Sequence, residues 1–180
     1  AGTVNVNTIG GSTQARLLRS AVNQNITATS LTDVAVKAAD YANAAGFTGA
    51  ISGSMYAAVG AASDTNLVNR TIMAQVEGTS DTTKESLSAD KLDVQALSLH
   101  GISSLDAGAA AAIEGASIGG TISVAKLQSS TTADVKDYTV VANGADITAD
   151  HSDKTYMVNN GAAIAAIGAS FGLSAGVVDQ

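Results

Sequence analysis

Slid along itself by 59 positions, the chain meets its own pattern. Gly49 falls on Gly108, Ala50 on Ala109, Ala57 on Ala116, Val59 on Ile118, Gly60 on Gly119, Val68 on Leu127, Thr71 on Ser130, Ala74 on Ala133 and Val76 on Val135. A slide of 53 puts Asp93 on Asp146, Val94 on Ile147, Ala96 on Ala149 and Gly108 on Gly161, and Gly115-Ala116-Ser117 on Gly168-Ala169-Ser170. A slide of 60 puts Asp33-Val34 on Asp93-Val94. Ordered matches at nearly constant spacing mark a repeat architecture, in which one unit recurs and buries its apolar side only against its neighbours. The whole chain, 1–180, then reads as a single segment with units of approximately 33–92, 93–145 and a truncated 146–180. Residues 1–32 read as the end of a preceding unit.

Each unit has two halves. The first alternates polar and apolar residues, as in Leu31 to Ala38 and Lys91 to Ala96, which is the period of a half-buried strand. The second is rich in Ala and Gly, at 46–62, 107–120 and 161–176, and a closing strand follows it, as in Asn69 to Gly78 and Ser130 to Asp137. The expected fold is all-β: a right-handed parallel β-helix (β-solenoid). A unit of this length divides into about three coils of roughly 20 residues, each of three short strands. Asn143-Gly144 and Asn160-Gly161 are the candidate turns. A helical alternative stays open for the Ala-rich runs, because Ala107 to Ala112 holds the best helix former. Gly108, Gly115, Gly119 and Gly120 oppose it.

Composition narrows the function. Aromatic residues make up only 3% of the chain and Trp is absent, which suits a thin stack of small aliphatic layers better than a compact globule. There is no Pro to interrupt sheet pairing. With no Cys, a disulfide framework, a thiolate metal site and a cysteine nucleophile are excluded. The net charge of −7 and the lack of a Lys/Arg cluster argue against nucleic acid as a partner. No charged segment followed by an apolar one resembles a signal peptide, and the chain reads as a mature or excised piece of something longer.

The candidate chemistry is sparse. Asp146, Asp150, His151 and Asp153 gather oxygens and an imidazole, but their spacing is neither an EF-hand nor the glycine-rich calcium nonapeptide, and a solvated turn is expected there. His100 and His151 are the only histidines, and neither accompanies a nucleophile elbow or a zinc-type second His. Gly10-Gly11-Ser12-Thr13 lacks the Lys of a phosphate loop and reads as a turn. Gly168, Gly172 and Gly176 stand four apart in an uncharged stretch, the pattern of a membrane packing face, but the related stretch at 107–125 carries Glu114, so membrane insertion is not expected. Asn25-Ile26-Thr27 and Asn69-Arg70-Thr71 match the N-glycosylation pattern. No catalytic residue, cofactor site or metal site is expected.

Taken together, units reading Asp-Val-x-Val-x-Ala, then a Gly/Ala-rich run, then Asn-Arg-Thr-x-x-Ala-x-Val-Glu-Gly resemble the repeats of large filamentous adhesins. These are the filamentous-haemagglutinin and leukotoxin-family exoproteins of Gram-negative bacteria. The best matches are Asn69 to Gly78, Ser129 to Asp137 and Gly144 to Ala149. The resemblance implies a right-handed parallel β-helix, secretion to the cell surface, attachment to host or bacterial cells, and neither cofactor nor catalysis. Glycosylation of some members bears on Asn25 and Asn69. The unequal repeat lengths and the Ala-rich runs depart from the family pattern. The expected function is a structural and adhesive rod of a secreted bacterial surface protein. Its partners are then surface molecules or copies of itself end to end. The alternatives are a self-assembling fibre subunit and a membrane-active toxin segment.

Overall fold

The structure, a computed structural model, describes residues 1–18, 32–78 and 85–179. Every regular element among these residues is a β-strand and every strand pairing is parallel. β1 spans Gly2–Leu18, β2 Val34–Ser54, β3 Ala57–Glu77, β4 Glu85–Lys136 and β5 Tyr138–Asp179. They form one curled sheet in the order β1-β3-β4-β2, with β5 also paired to β4.

Pairing partners lie one repeat apart. They differ by 59 residues between β1 and β3 and between β3 and β4, by 58 between β2 and β4, and by 53 between β4 and β5. The pairs Val59–Ile118, Gly60–Gly119, Val68–Leu127, Asp93–Asp146 and Gly115–Gly168 are those that the self-match aligns. The expectation of about 20 residues per coil is therefore corrected: one repeat makes one long pass. The strands are 17 to 52 residues long, against a usual five or six. Nothing in the sequence interrupts the period-two pattern, because no Pro intervenes and the expected turns do not form. Asn143-Gly144, Asn160-Gly161, Gly10 to Thr13 and Asp146 to Asp153 all lie within strands.

β4 must fold over, since Leu92 to Ala112 lies beside β2 while Ala116 to Lys136 lies beside β3. It doubles back at Ile113–Gly115, and the corresponding bend between β2 and β3 is Met55-Tyr56. Gly115 has φ +113° and a Cβ there would meet the Tyr56 carbonyl oxygen at 1.9 Å, so the bend requires glycine. The extra residue in this bend changes the separation from 58 before it to 59 after it. Asp33 consequently does not align with Asp93, whose partner is Ala35. The drop to 53 arises in the opposite link, since Glu77 pairs with Lys136 whereas Glu85 pairs with Tyr138. Asp137 turns the chain alone with φ 57°, a region that Asp tolerates better than most side chains.

The interior widens away from the bends. Near them the walls touch backbone to backbone: a Cβ on Gly108 would meet the Gly120 carbonyl oxygen at 2.2 Å. The packing cluster at that end is Ala58, Ala110 and Ala112. Farther out it becomes Ala44, Val68, Ile102, Ala125 and Leu127, and at the far end Ile72, Val76, Leu87, Leu92 and Val94. The helical alternative for Ala107 to Ala112 is thereby overturned. Small side chains are needed there because two strand walls converge, a tertiary demand that outweighs helix propensity.

Candidate functional site

The inward parity of the strands is not uniformly apolar, and two polar bands cross the interior. The first begins with Arg70 on β3. Its Nε donates to Asp40 Oδ2 at 2.8 Å and its Nη2 to Oδ1, a bidentate pair. Thr13 on β1 donates to Oδ1 at 2.8 Å, and His100 Nε2 lies 2.9 Å from Oδ2. The Arg70 guanidinium holds the Asp40 carboxyl well below the usual carboxylate range; burial opposes it, and His100 and Thr13 add to it. Gly11 stacks directly on Arg70, and a Cβ at Gly11 would meet Nη1 at 2.7 Å. The Gly10-Gly11 pair thus makes room for a guanidinium.

The band continues to β5. His100 Nδ1 is 3.5 Å from Asp153 Oδ1, too long for a hydrogen bond. Asp153 Oδ2 is 2.9 Å from His151 Nε2, and Ser98 Oγ is 2.6 Å from His151 Nδ1. Ser98, His151 and Asp153 thus share the contacts of a hydrolytic triad. Ser98, however, is fully buried and accepts the Thr131 hydroxyl at 2.8 Å, leaving no space for a substrate carbonyl at its oxygen.

The second band lies closer to the bends. Asp64 on β3 accepts from Asn5 Nδ2 at 2.8 Å, from Asn66 Nδ2 at 2.5 Å and from Ser104 Oγ at 2.5 Å. Asn66 Oδ1 in turn accepts from Asn7 at 2.8 Å. Asp106 on β4 is fully buried, and Ser104 Oγ lies 3.1 Å from its Oδ2. Burial pushes the Asp106 carboxyl above the usual range and the charge of Asp64 adds to the rise, with Ser104 and Thr48 opposing.

The outer faces are unusually apolar for a solvent-facing sheet. Phe47 is 73% exposed, Ile51 84% and Tyr156 68%. A groove of about 770 Å³ runs over Gly101 between Tyr41 and Tyr156, with Asn43, Ser103 and Lys154 along it. A smaller apolar groove of about 350 Å³ follows the Gly2, Ala61 and Gly120 column on the other face, flanked by Val59 and Ile122. Exposed apolar patches of this kind are typical of binding surfaces.

The structure disperses the acidic cluster expected around His151. On β5 the residues alternate, so His151 and Asp153 share the inward parity while Asp146 and Asp150 lie on the opposite face. His100 and His151 approach with ring centroids 6.3 Å apart. Asn69 is exposed on β3, whereas Asn25 lies outside the described residues. Gly168, Gly172 and Gly176 lie in β5, and no helix among the described residues is long and apolar enough to cross a membrane. No group of three or more His, Cys, Asp or Glu among the described residues is placed to hold a metal ion. Sequence reasoning missed both polar bands. The available signal was parity: Asp40, Asp64, Arg70, His100 and Asp106 sit where the alternation calls for apolar side chains. Compared with known proteins, the chain matches no family model, no curated protein and no solved structure.

Proposed function

We propose that the chain is a β-solenoid segment, right-handed and structural, in an adhesive rod of a secreted bacterial surface protein. The observation that carries this reading is the register. Each pass pairs in parallel with the next at one repeat length, so equivalent positions line up in columns that can be extended by adding further passes. Among the described residues, β1 and β2 each pair on one side only, and so does β5. The stack therefore offers an open strand edge at either end. Its outer faces carry exposed aromatic and aliphatic side chains suited to contacting surface molecules of host or bacterial cells. The sealed Ser98 supports a non-enzymatic role, and the adhesin-like repeat supports export to the cell surface.

The test is direct. Beads coated with the 180-residue chain should adhere to bacterial or epithelial cells, and Tyr41→Ala with Tyr156→Ala should reduce that adhesion without loss of strand content. Adhesion no greater than that of uncoated beads would sink the adhesive reading.

End-to-end assembly is a second reading, favoured by one observation. Val34 stacks on Leu92 and Leu92 on Ala145, so the next place in that column is open. A second copy entering with its Val34 beside Ala145 would bring its Asp40 carboxylate beside the His151 imidazole. Filaments in negative-stain images, lengthening with concentration, would support this reading; a monomer at all concentrations would remove it.

A further inference from the structure

We propose that the outer face of the wall formed by β2, β4 and β5 pairs with the same face of a second copy, so that two rods lie side by side. The order of large and small residues on that face carries the inference. Pairing in register sorts its side chains into columns that run along the stack. Phe47, Leu105 and Val158 make one column, a ridge, and Gly49, Ala107 and Asn160 make the next, a furrow. Beyond the ridge lie Ala45, Ser103 and Tyr156, and beyond the furrow Ile51, Ala109 and Ala162. All of these face outward and none is charged. A two-fold axis along the stack, midway between ridge and furrow, exchanges the columns and keeps each layer level. Phe47 then meets the partner's Gly49, Leu105 the partner's Ala107, Ile51 the partner's Ala45 and Tyr156 the partner's Ala162. Val158 against Asn160, in the edge layer, is the one pair without a small residue.

Two glycines on this face are not required by the chain's own fold. A Cβ at Gly49 would meet nothing nearer than the Ala107 carbonyl oxygen at 3.7 Å, and one at Gly53 nothing within 4 Å. At Gly60 and Gly108, by contrast, a Cβ would meet backbone oxygens of the same chain at 1.9 and 2.2 Å. Glycine weakens a strand interior and often marks the close approach of another group. Under the two-fold, the partner's Phe47 approaches Gly49 and the partner's Asn43 approaches Gly53. Facing sheets pack about 10 Å apart, a gap that ridge-in-furrow contact fills. Six columns from Asn43 to Gly53, over three strands, cover about 40 by 14 Å. Two copies then bury about 1,100 Å², close to the lower bound for a specific interface, which fits a weak dimer. A lipid bilayer has no relief to match the furrow, and a chain of net charge −7 is repelled by anionic headgroups. The contact lies on the side of the rod, so it needs no open strand edge and does not rest on the adhesive reading.

Sedimentation velocity of the 180-residue chain over a range of concentrations tests the contact. The unaltered chain should pass from monomer to dimer in the micromolar range and stop at two, since a two-fold contact closes on itself. Gly49→Phe makes the face more apolar yet sets the new ring against the partner's Phe47, so it should weaken dimerisation by at least about tenfold. Phe47→Gly combined with Gly49→Phe exchanges ridge and furrow in that layer and should restore the dimer. Ile51→Glu should give a monomer; Ile51 is 84% exposed, so this variant stays informative if Gly49→Phe fails to fold. Val6→Ser, on the opposite wall, should leave the dimer unchanged. The proposal is overturned by a monomer at every concentration, by a dimer that survives Ile51→Glu or tightens with Gly49→Phe, or by growth past two that Gly49→Phe leaves unaltered. A chain that stays monomeric in solution and floats with vesicles of phosphatidylcholine and phosphatidylglycerol would assign the face to a membrane instead.

Discussion

The two interior bands solve the same problem in opposite ways. Each buries a carboxylate where the strand alternation leaves room for an apolar residue. Asp40 has a guanidinium, a hydroxyl and an imidazole around it, so its charge is neutralised within the chain. Among the described residues no basic side chain reaches Asp106, whose carboxyl has only the Ser104 hydroxyl, shared with Asp64, and the Thr48 hydroxyl against it. Asp40 is 7% exposed and Asp106 fully buried, so both carboxylates are taken out of water. The difference lies in whether a cation reaches it. Arg70 reaches Asp40 because Gly11 leaves the space, and no such cationic side chain among the described residues faces Asp106.

The largest effect that would break this contrast is loss of the guanidinium. Arg70→Met leaves Asp40 buried with its charge uncompensated and should cost about 3–5 kcal/mol in urea unfolding, as one-sided removal of a buried pair does. Asp106→Asn should act in the opposite direction and stabilise the chain by about 1–2 kcal/mol, since it removes a charge that burial disfavours. A cost from Asp106→Asn similar to that of Arg70→Met would show the two bands to be alike.

Acid should separate them next. Asp40 has a depressed folded value, so its stabilisation is present above the unfolded value of about 3.9 and is lost as the pH falls below that. Asp106 has a raised folded value, so its contribution is greatest below the unfolded value and fades as the pH rises through the folded one. Urea midpoints between pH 3 and 7 should therefore show the gain from Asp106→Asn growing with pH. A gain that shrinks with pH contradicts the assignment. The smallest pair of effects comes from the hydroxyls. Thr13→Val removes a donor to the ionised Asp40 and should cost about 1 kcal/mol, while Thr48→Val removes a weaker contact to Asp106 and should cost about 0.5 kcal/mol.

Much of this fold was legible as a period and little of it as a shape. The matches of Val68 with Leu127 and of Asp93 with Asp146 name true strand neighbours, because parallel in-register stacking puts like beside like. What the period could not tell is how many strands fill one repeat. Short coils were the natural division, but the bends at Met55-Tyr56 and Ile113 to Gly115 are two or three residues long and the turn at Asp137 only one, which leaves little mark in a sequence rich in Gly. The Ala-rich runs were readable as unusual and misreadable as helix, since the reason for them is the approach of Gly108 to Gly120, twelve residues along the same strand. The polar bands were legible only by parity. Asp40 and Arg70 are thirty residues apart in sequence, and their meeting depends on the bend between them.

A register one repeat long is tested most directly by crosslinking, because the chain has no Cys to interfere. Ala45 and Ser103 are outward-facing neighbours on adjacent passes, and parallel partners lie within disulfide reach. Ala45→Cys with Ser103→Cys should form an intramolecular disulfide under mild oxidation, and Ala45→Cys with Thr65→Cys, twenty residues apart, should not. The reverse outcome, a bond at twenty residues and none at fifty-eight, would contradict the stacking of whole repeats and restore the short coil.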